Sequence, residues 1–114
     1  MNDCLFCKII KKEIPSKKVF EDENVYAFED IHPMAKIHNL FIHKKHTHDV
    51  NSLMTSDSAQ IVDVFNAIKT WTNSQDLQKS GFRVVTNCGP NAGQTVFHTH
   101  FHVLGGEKLG RFGS

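Results

Sequence analysis

The sequence has no apolar run approaching the roughly 18 residues that a membrane-crossing helix needs. It also lacks excess charge of either sign: 13 Lys and Arg stand against 12 Asp and Glu, for a formal net charge of +1. Composition therefore points to neither nucleic acid nor a membrane surface as the main partner. Lys17-Lys18 and Lys44-Lys45 are short basic pairs that read as solvated faces. Cysteine is scarce and odd in number, three in 114 residues. That argues against a secreted disulfide framework and favours metal or redox chemistry at Cys4-x-x-Cys7. Met1-Asn2-Asp3-Cys4 has no basic-then-apolar leader, so the cytoplasm is the expected compartment. No repeat, low-complexity stretch or linker stands out, and the length fits one compact domain over residues 1–114.

What is there reads as short alternating elements. Cys4 to Lys12 predicts a short helix with Phe6, Ile9 and Ile10 inward, ended by Pro15. Val19–Glu21 and Val25–Phe28 predict strands around an Asp22-Glu23-Asn24 turn, and Asn39–Ile42 an apolar strand. Thr55 or Ser56 can cap a helix running to about Asp76, with Ile61, Phe65, Ile68 and Trp71 or Thr72 at helical spacing. Phe82–Thr86 predicts a strand, and residues 87–94 a turn-rich loop. The expected fold is α+β: an antiparallel sheet of about five strands, one long helix and a short N-terminal helix.

The richest segment is His98-Thr99-His100-Phe101-His102-Val103. In a strand, residues i, i+2 and i+4 share one side, so all three imidazoles line one surface while Phe101 and Val103 face a core. Imidazole can bind metal, move protons near neutral pH or attack an electrophile. The preceding loop holds Gly89 and Gly93, which permit close backbone approach, and Gln94 and Thr95, which can donate to phosphate oxygens. A module binding metal through His98, His100 and His102 together is the competing reading of the same residues.

This pattern resembles the histidine triad (HIT) family of nucleotide hydrolases and transferases. Cys4–Ile10, Glu13-Ile14-Pro15, Ala27–Ile31 and Gly93–Phe97 are similar to its branch of small purine nucleoside phosphoramidases. The resemblance implies a hydrolase that cleaves at the α-phosphorus of a purine nucleotide or nucleoside phosphoramidate. It makes His100 the nucleophile, held as the right tautomer by a backbone carbonyl on the neighbouring strand residue, and His102 a donor to the phosphate. His38 orients the triad or relays protons to it. Asn87, Gly93, Gln94 and Thr95 match the phosphate loop, and Asp30 the acid that takes the ribose hydroxyls. Phe6, Ile9, Phe28, Ile31 and Leu40 match the apolar slot around the base. The family also implies a homodimer. Alternatives are a dinucleoside polyphosphate hydrolase and a non-enzymatic nucleotide-binding regulator.

Cys4 and Cys7 have zinc-ligand spacing, and a redox-active pair is the rival reading. Some bacterial members of the resembled family, and related uridylyltransferases, pair such cysteines with two histidines around zinc. Here those are His46 and the triad's own His98, a closed structural set. His43 and His48 are rival ligands by proximity, and His48 is expected to be exposed. Cys88 receives no role. Two departures stand out: His43 occupies a position that is usually Pro, and Arg111 or Phe112 stands where the branch often carries Trp in a tail that ends here with Gly113-Ser114.

Overall fold

The computed structural model describes residues 3–112; Met1, Asn2, Gly113 and Ser114 lie outside the described residues. Its elements run α1 Leu5–Ile10, β1 Lys18–Glu21, β2 Val25–Glu29, β3 Ile37–His43, α2 Val50–Ser56, α3 Ala59–Ser74, α4 Leu77–Ser80, β4 Phe82–Val85 and β5 His100–Gly105. The five strands form one antiparallel sheet in the order β1-β2-β3-β5-β4. The long helix is α3, and α1 is the short N-terminal helix.

Strand alternation builds two cores from one sheet. Val25, Ala27, Phe41, Phe101 and Val103 pack on one face with Val64, Ile68 and Trp71 of α3. Tyr26, Phe28, Leu40 and Ile42 pack on the other, under Phe6 and Ile9 of α1. Truncating the fully buried Phe41 to Ala would cost about 3–5 kcal/mol, lost transfer energy plus a cavity. The β1–β2 connection is the expected turn: the Asp22 carboxylate accepts from the backbone N–H groups of Asn24 and Val25 at 2.8 and 2.7 Å.

Three expectations are corrected. The helix read as running from Thr55 or Ser56 to Asp76 is α3, which starts only at Ala59: the chain breaks at Asp57, whose φ of −161° is not helical, and residues 55–56 close the separate α2. Thr55 and Ser56 do not cap it; their hydroxyls donate back to the carbonyls of Asn51 and Ser52 at the end of α2. The cap at this end of the chain is Asp49, which accepts from Ser52 N–H at 2.8 Å. Phe65 is 42% exposed, and Val64 and Ala67 take the inward positions instead. Finally, the histidine strand begins at His100, so His98 and Thr99 precede it.

Candidate active site

β5 pairs with β3 so that His102 lies opposite Leu40 and His100 opposite Ile42. Both imidazoles thus emerge on the α1 face of the sheet, with ring centroids 5.1 Å apart. Phe6 of α1 sets its ring edge-on to His100 at 5.1 Å. Placing a polar strand face under an apolar helix desolvates the histidines, and a desolvated imidazole resists protonation. Burial is the main reason that His100 and His38 titrate below the ordinary range. Burial, reinforced by the neighbouring His100 and His38, brings His102 down to about 4.

The hydrogen bonds fix which nitrogen of each neutral ring carries the proton. His100 Nδ1 lies 2.7 Å from the carbonyl oxygen of His98, which can only accept. His100 therefore holds its proton on Nδ1 and keeps a lone pair on Nε2. The acceptor is a backbone carbonyl close by in sequence, as the resemblance implies, supplied by the residue two positions before His100. Thr86 donates to the carbonyl of His100 at 2.8 Å and ties this point to β4.

A second chain runs through His38. The backbone N–H of Met34 donates to His38 Nδ1 at 3.0 Å, so the His38 proton sits on Nε2. That nitrogen is 2.8 Å from His102 Nδ1 and 3.4 Å from the Asp30 carboxylate. His102 Nδ1 is then the acceptor, and its Nε2 carries a proton that it can donate outward. Asp30, His38 and His102 cluster closely enough to suggest a metal site. The Met34 bond argues against one: His38 Nδ1 is already an acceptor, so its Nε2 is a donor and not a ligand.

The reverse holds at the other end of the triad. His98 Nε2 lies 2.9 Å from the carbonyl of His43, so its Nδ1 presents a lone pair. Burial first, then the nearby His46, His100 and His43, holds His98 near 4 and hence neutral. Cys4 Sγ and Cys7 Sγ stand 3.3 and 3.4 Å from that Nδ1, His46 Nδ1 stands 3.2 Å from it, and Cys7 Sγ stands 3.5 Å from His46 Nδ1. A tetrahedron with metal–S of about 2.3 Å and metal–N of about 2.0 Å has S···N edges of about 3.5 Å and N···N edges of about 3.3 Å. The four donors fit a metal ion. Burial raises the Cys4 thiol, and a cation is what would hold it as thiolate. Cys4 also caps α1, its sulfur accepting from Cys7 N–H at 3.4 Å. The rival ligands point elsewhere: His43 Nε2 meets Asp63 at 2.9 Å, and the exposed His48 stacks on Phe97 at 4.7 Å. The three triad histidines are thus divided among tasks and do not converge on one ion.

The other expected site residues are spread over several places. Ile9, Phe28, Asp30 and Ile31 line a cleft of about 560 Å³, with Ile31 on its rim at 85% exposure. Phe6 and Leu40 are packed in the core beneath. Asn87 lines a separate cavity of about 390 Å³ beside His38, His102 and Phe112. Arg83 reaches the tail there, donating to the carbonyl of Gly110 at 3.0 Å. The Gln94 amide is spent on backbone groups: it accepts from Gly89 N–H and donates to the carbonyls of His48 and Val96. Gly93, at φ +82°, closes that loop in the left-handed region that favours glycine. Thr95 is exposed and borders a hollow shared with Cys4 and His46.

The residues missed from the sequence are Met34, Thr47, Thr86 and Asp63. Thr47 and Thr99 join hydroxyls at 2.7 Å, and Thr99 N–H donates to the Thr47 carbonyl at 2.8 Å. These bonds clasp the segment before β5 to the turn that carries His46. Only the carbonyls and the fold reveal these partners.

The HIT domain profile matches residues 11–109. This chain belongs to the HIT family. It is 40% identical over 106 residues to an uncharacterized HIT-like protein of Rickettsia prowazekii, covering 92% of this chain and 88% of that one. A HIT family hydrolase from Clostridium thermocellum superposes with a TM-score of 0.90 at 42% identity, covering 97% of this chain and 96% of that one. A histidine triad nucleotide-binding protein from Candida albicans superposes with a TM-score of 0.81 at 32% identity, covering 98% and 87%. Among the described residues no helix is long and apolar enough to cross a membrane.

Proposed function

We propose that this HIT protein is a nucleotide hydrolase that cleaves purine nucleoside phosphoramidates through a covalent nucleotidyl–His100 intermediate. The observation that carries it is the 2.7 Å bond from His100 Nδ1–H to the His98 carbonyl, which leaves Nε2 free to attack. The His100 Nε2 lone pair forms a bond to the α-phosphorus, and the bond from phosphorus to the leaving nitrogen breaks. That nitrogen takes up a proton from water. The His98 carbonyl accepts from the more acidic Nδ1–H of the substituted ring. A second water then adds its oxygen to the phosphorus as the phosphorus–His100 bond breaks, its released proton neutralising the hydroxide left by the first water, so that the nucleoside monophosphate departs and His100 is again neutral. His102 Nε2–H donates to the phosphoryl oxygens, kept in that tautomer by His38. Asp30 takes the ribose hydroxyls at the mouth of the cleft where Ile9, Phe28 and Ile31 receive the base. The hydrolase named at 42% identity and the nucleotide-binding protein named at 32% support this reading.

The metal is read as one zinc ion per chain on Cys4, Cys7, His46 and His98. Bound there, the ion supplies cross-linking of α1 to the triad and no activated water, because four protein donors close the site. The assembly is read as a homodimer in the cytoplasm, with β4 at the sheet edge and Val62 and Phe65 exposed on α3. Turnover of adenosine phosphoramidate against diadenosine polyphosphate, with acid-quench trapping of the nucleotidyl enzyme, tests the activity. Preference for the diadenosine substrate would favour the polyphosphate hydrolase instead, and binding without turnover of either would favour a regulator.

A further inference from the structure

His43 ends β3 three residues before His46 and meets the metal set twice. Its carbonyl takes the Nε2 proton of His98 at 2.9 Å. Its own ring, 5% exposed, is fixed at both nitrogens: Lys45 N–H donates to Nδ1 at 3.1 Å, and Nε2 lies 2.9 Å from the Asp63 carboxylate on α3. Because Nδ1 accepts, Nε2 is the N–H that donates to Asp63, and the contact needs no charge on the ring. The Lys45 bond bends the chain back over His43 and so sets the path of the turn that presents His46. Lys44 N–H donates to the Asn24 carbonyl at 2.8 Å and anchors the same turn to the start of β2. One buried residue thereby meets His98 through its carbonyl and the turn that leads to His46 through its ring.

We propose that the Asp63–His43 pair is a positioning device for the metal centre, through which α3 sets the metal affinity of a site it does not touch. The inference rests on the metal reading above. A metal-bound imidazole is held by whatever its other nitrogen touches, and loosening that partner typically costs about 10–100-fold in affinity. Substituting Asp63 leaves the His43 carbonyl in the chain and removes only its anchorage, so the expected loss is at the lower end. Had the pair served only to fasten α3 to the sheet, substitution would lower stability and leave metal affinity where it was.

Chelator competition on the metal-loaded protein, with Zn²⁺ for affinity and Co²⁺ for the tetrahedral ligand-field spectrum, separates these outcomes. Asp63→Ala is expected to weaken Zn²⁺ about 10-fold and alter the Co²⁺ band. Asp63→Asn, which keeps an oxygen acceptor for the His43 N–H, is expected to stay within about threefold of the parent. His43→Phe keeps the buried bulk, removes both ring nitrogens and should match Asp63→Ala, so the proposal survives misfolding of either variant. Leu77→Ala, at the far end of β5 against Gly105, is the destabilised control and should keep its metal. Affinity unchanged in Asp63→Ala or His43→Phe, or lost equally in Leu77→Ala, overturns the inference alone. A parent protein that binds no metal overturns the metal reading and the inference together.

Discussion

Two histidine clusters lie at the two ends of the triad, and they use the same chemistry in opposite senses. At one end His98 gives its Nε2 proton to a carbonyl and turns a lone pair toward two sulfurs and His46. At the other, His38 accepts a backbone N–H and donates its own Nε2–H to His102. Both clusters gather donor atoms at close range. The difference lies in the partner behind the ring: a carbonyl leaves the far nitrogen with a lone pair to offer, and an amide N–H leaves it with a proton to donate. His100, between the two, has the carbonyl behind it and so has the free lone pair that a nucleophile needs.

The comparison can be broken most severely at its centre. His100→Ala should lower turnover by roughly 10³ or more while nucleotide binding and metal content persist, read by steady-state kinetics and metal analysis. His98→Ala should separate the ends: metal and thermal stability fall together, because a ligand set assembled only in the folded chain makes binding energy folding energy. A His98→Ala protein that keeps its metal would place His98 with the relay. Asp30→Ala should raise KM more than it lowers kcat, by the factor that follows from about 1.5–3 kcal/mol for a charged hydrogen bond. A 2′,3′-dideoxy substrate processed as well as the ribose form would remove that role.

Acid sharpens the comparison more gently. His102 is held near 4 in the folded chain by burial and by His100 and His38, against 6.5 when free. The unfolded chain therefore takes up a proton that the folded one refuses. This contribution to stability is intact above about 6.5 and is lost as pH falls through about 4. Thermal unfolding followed across that window should show a shallower decline in His102→Asn. The smallest effect belongs to the surface, away from both clusters. Glu21 is brought down to about 2 by hydrogen bonds from Lys44 and Lys18, so its contribution is present above the usual carboxylate range and fades as pH falls toward 2. Glu21→Gln should cost less than about 1 kcal/mol at neutral pH and still less in high salt.

Much of this was legible in the sequence where side chains follow the chain's own period. Alternation placed Phe101 and Val103 in one core and His100 and His102 on the opposite face. The Cys-x-x-Cys spacing pointed to a ligand pair. The separate helix α2 was not legible, since Leu53 is its buried residue and one such position sets no apolar period. Tautomers were equally hidden, because each depends on a backbone group delivered by another part of the fold. Nothing in Met34 or His43 as residue types announces an amide aimed at His38 or a carbonyl aimed at His98. The Gln94 side chain, read as a phosphate donor, is held by the backbone of Gly89 and of the distant His48.

The two-core sheet makes the protein far more tolerant of substitution than of changes in length. Adding or deleting one residue inside β5 would exchange its faces, driving imidazoles against α3 and presenting Phe101 and Val103 to the α1 side of the sheet. The Thr47–Thr99 clasp just upstream and the Thr86 bond to the His100 carbonyl leave little slack to absorb such a shift. In a library of single-codon insertions and deletions, the stretch from Thr99 to Val103 should be blank, while the exposed residues 90–93 accept length variants that still fold.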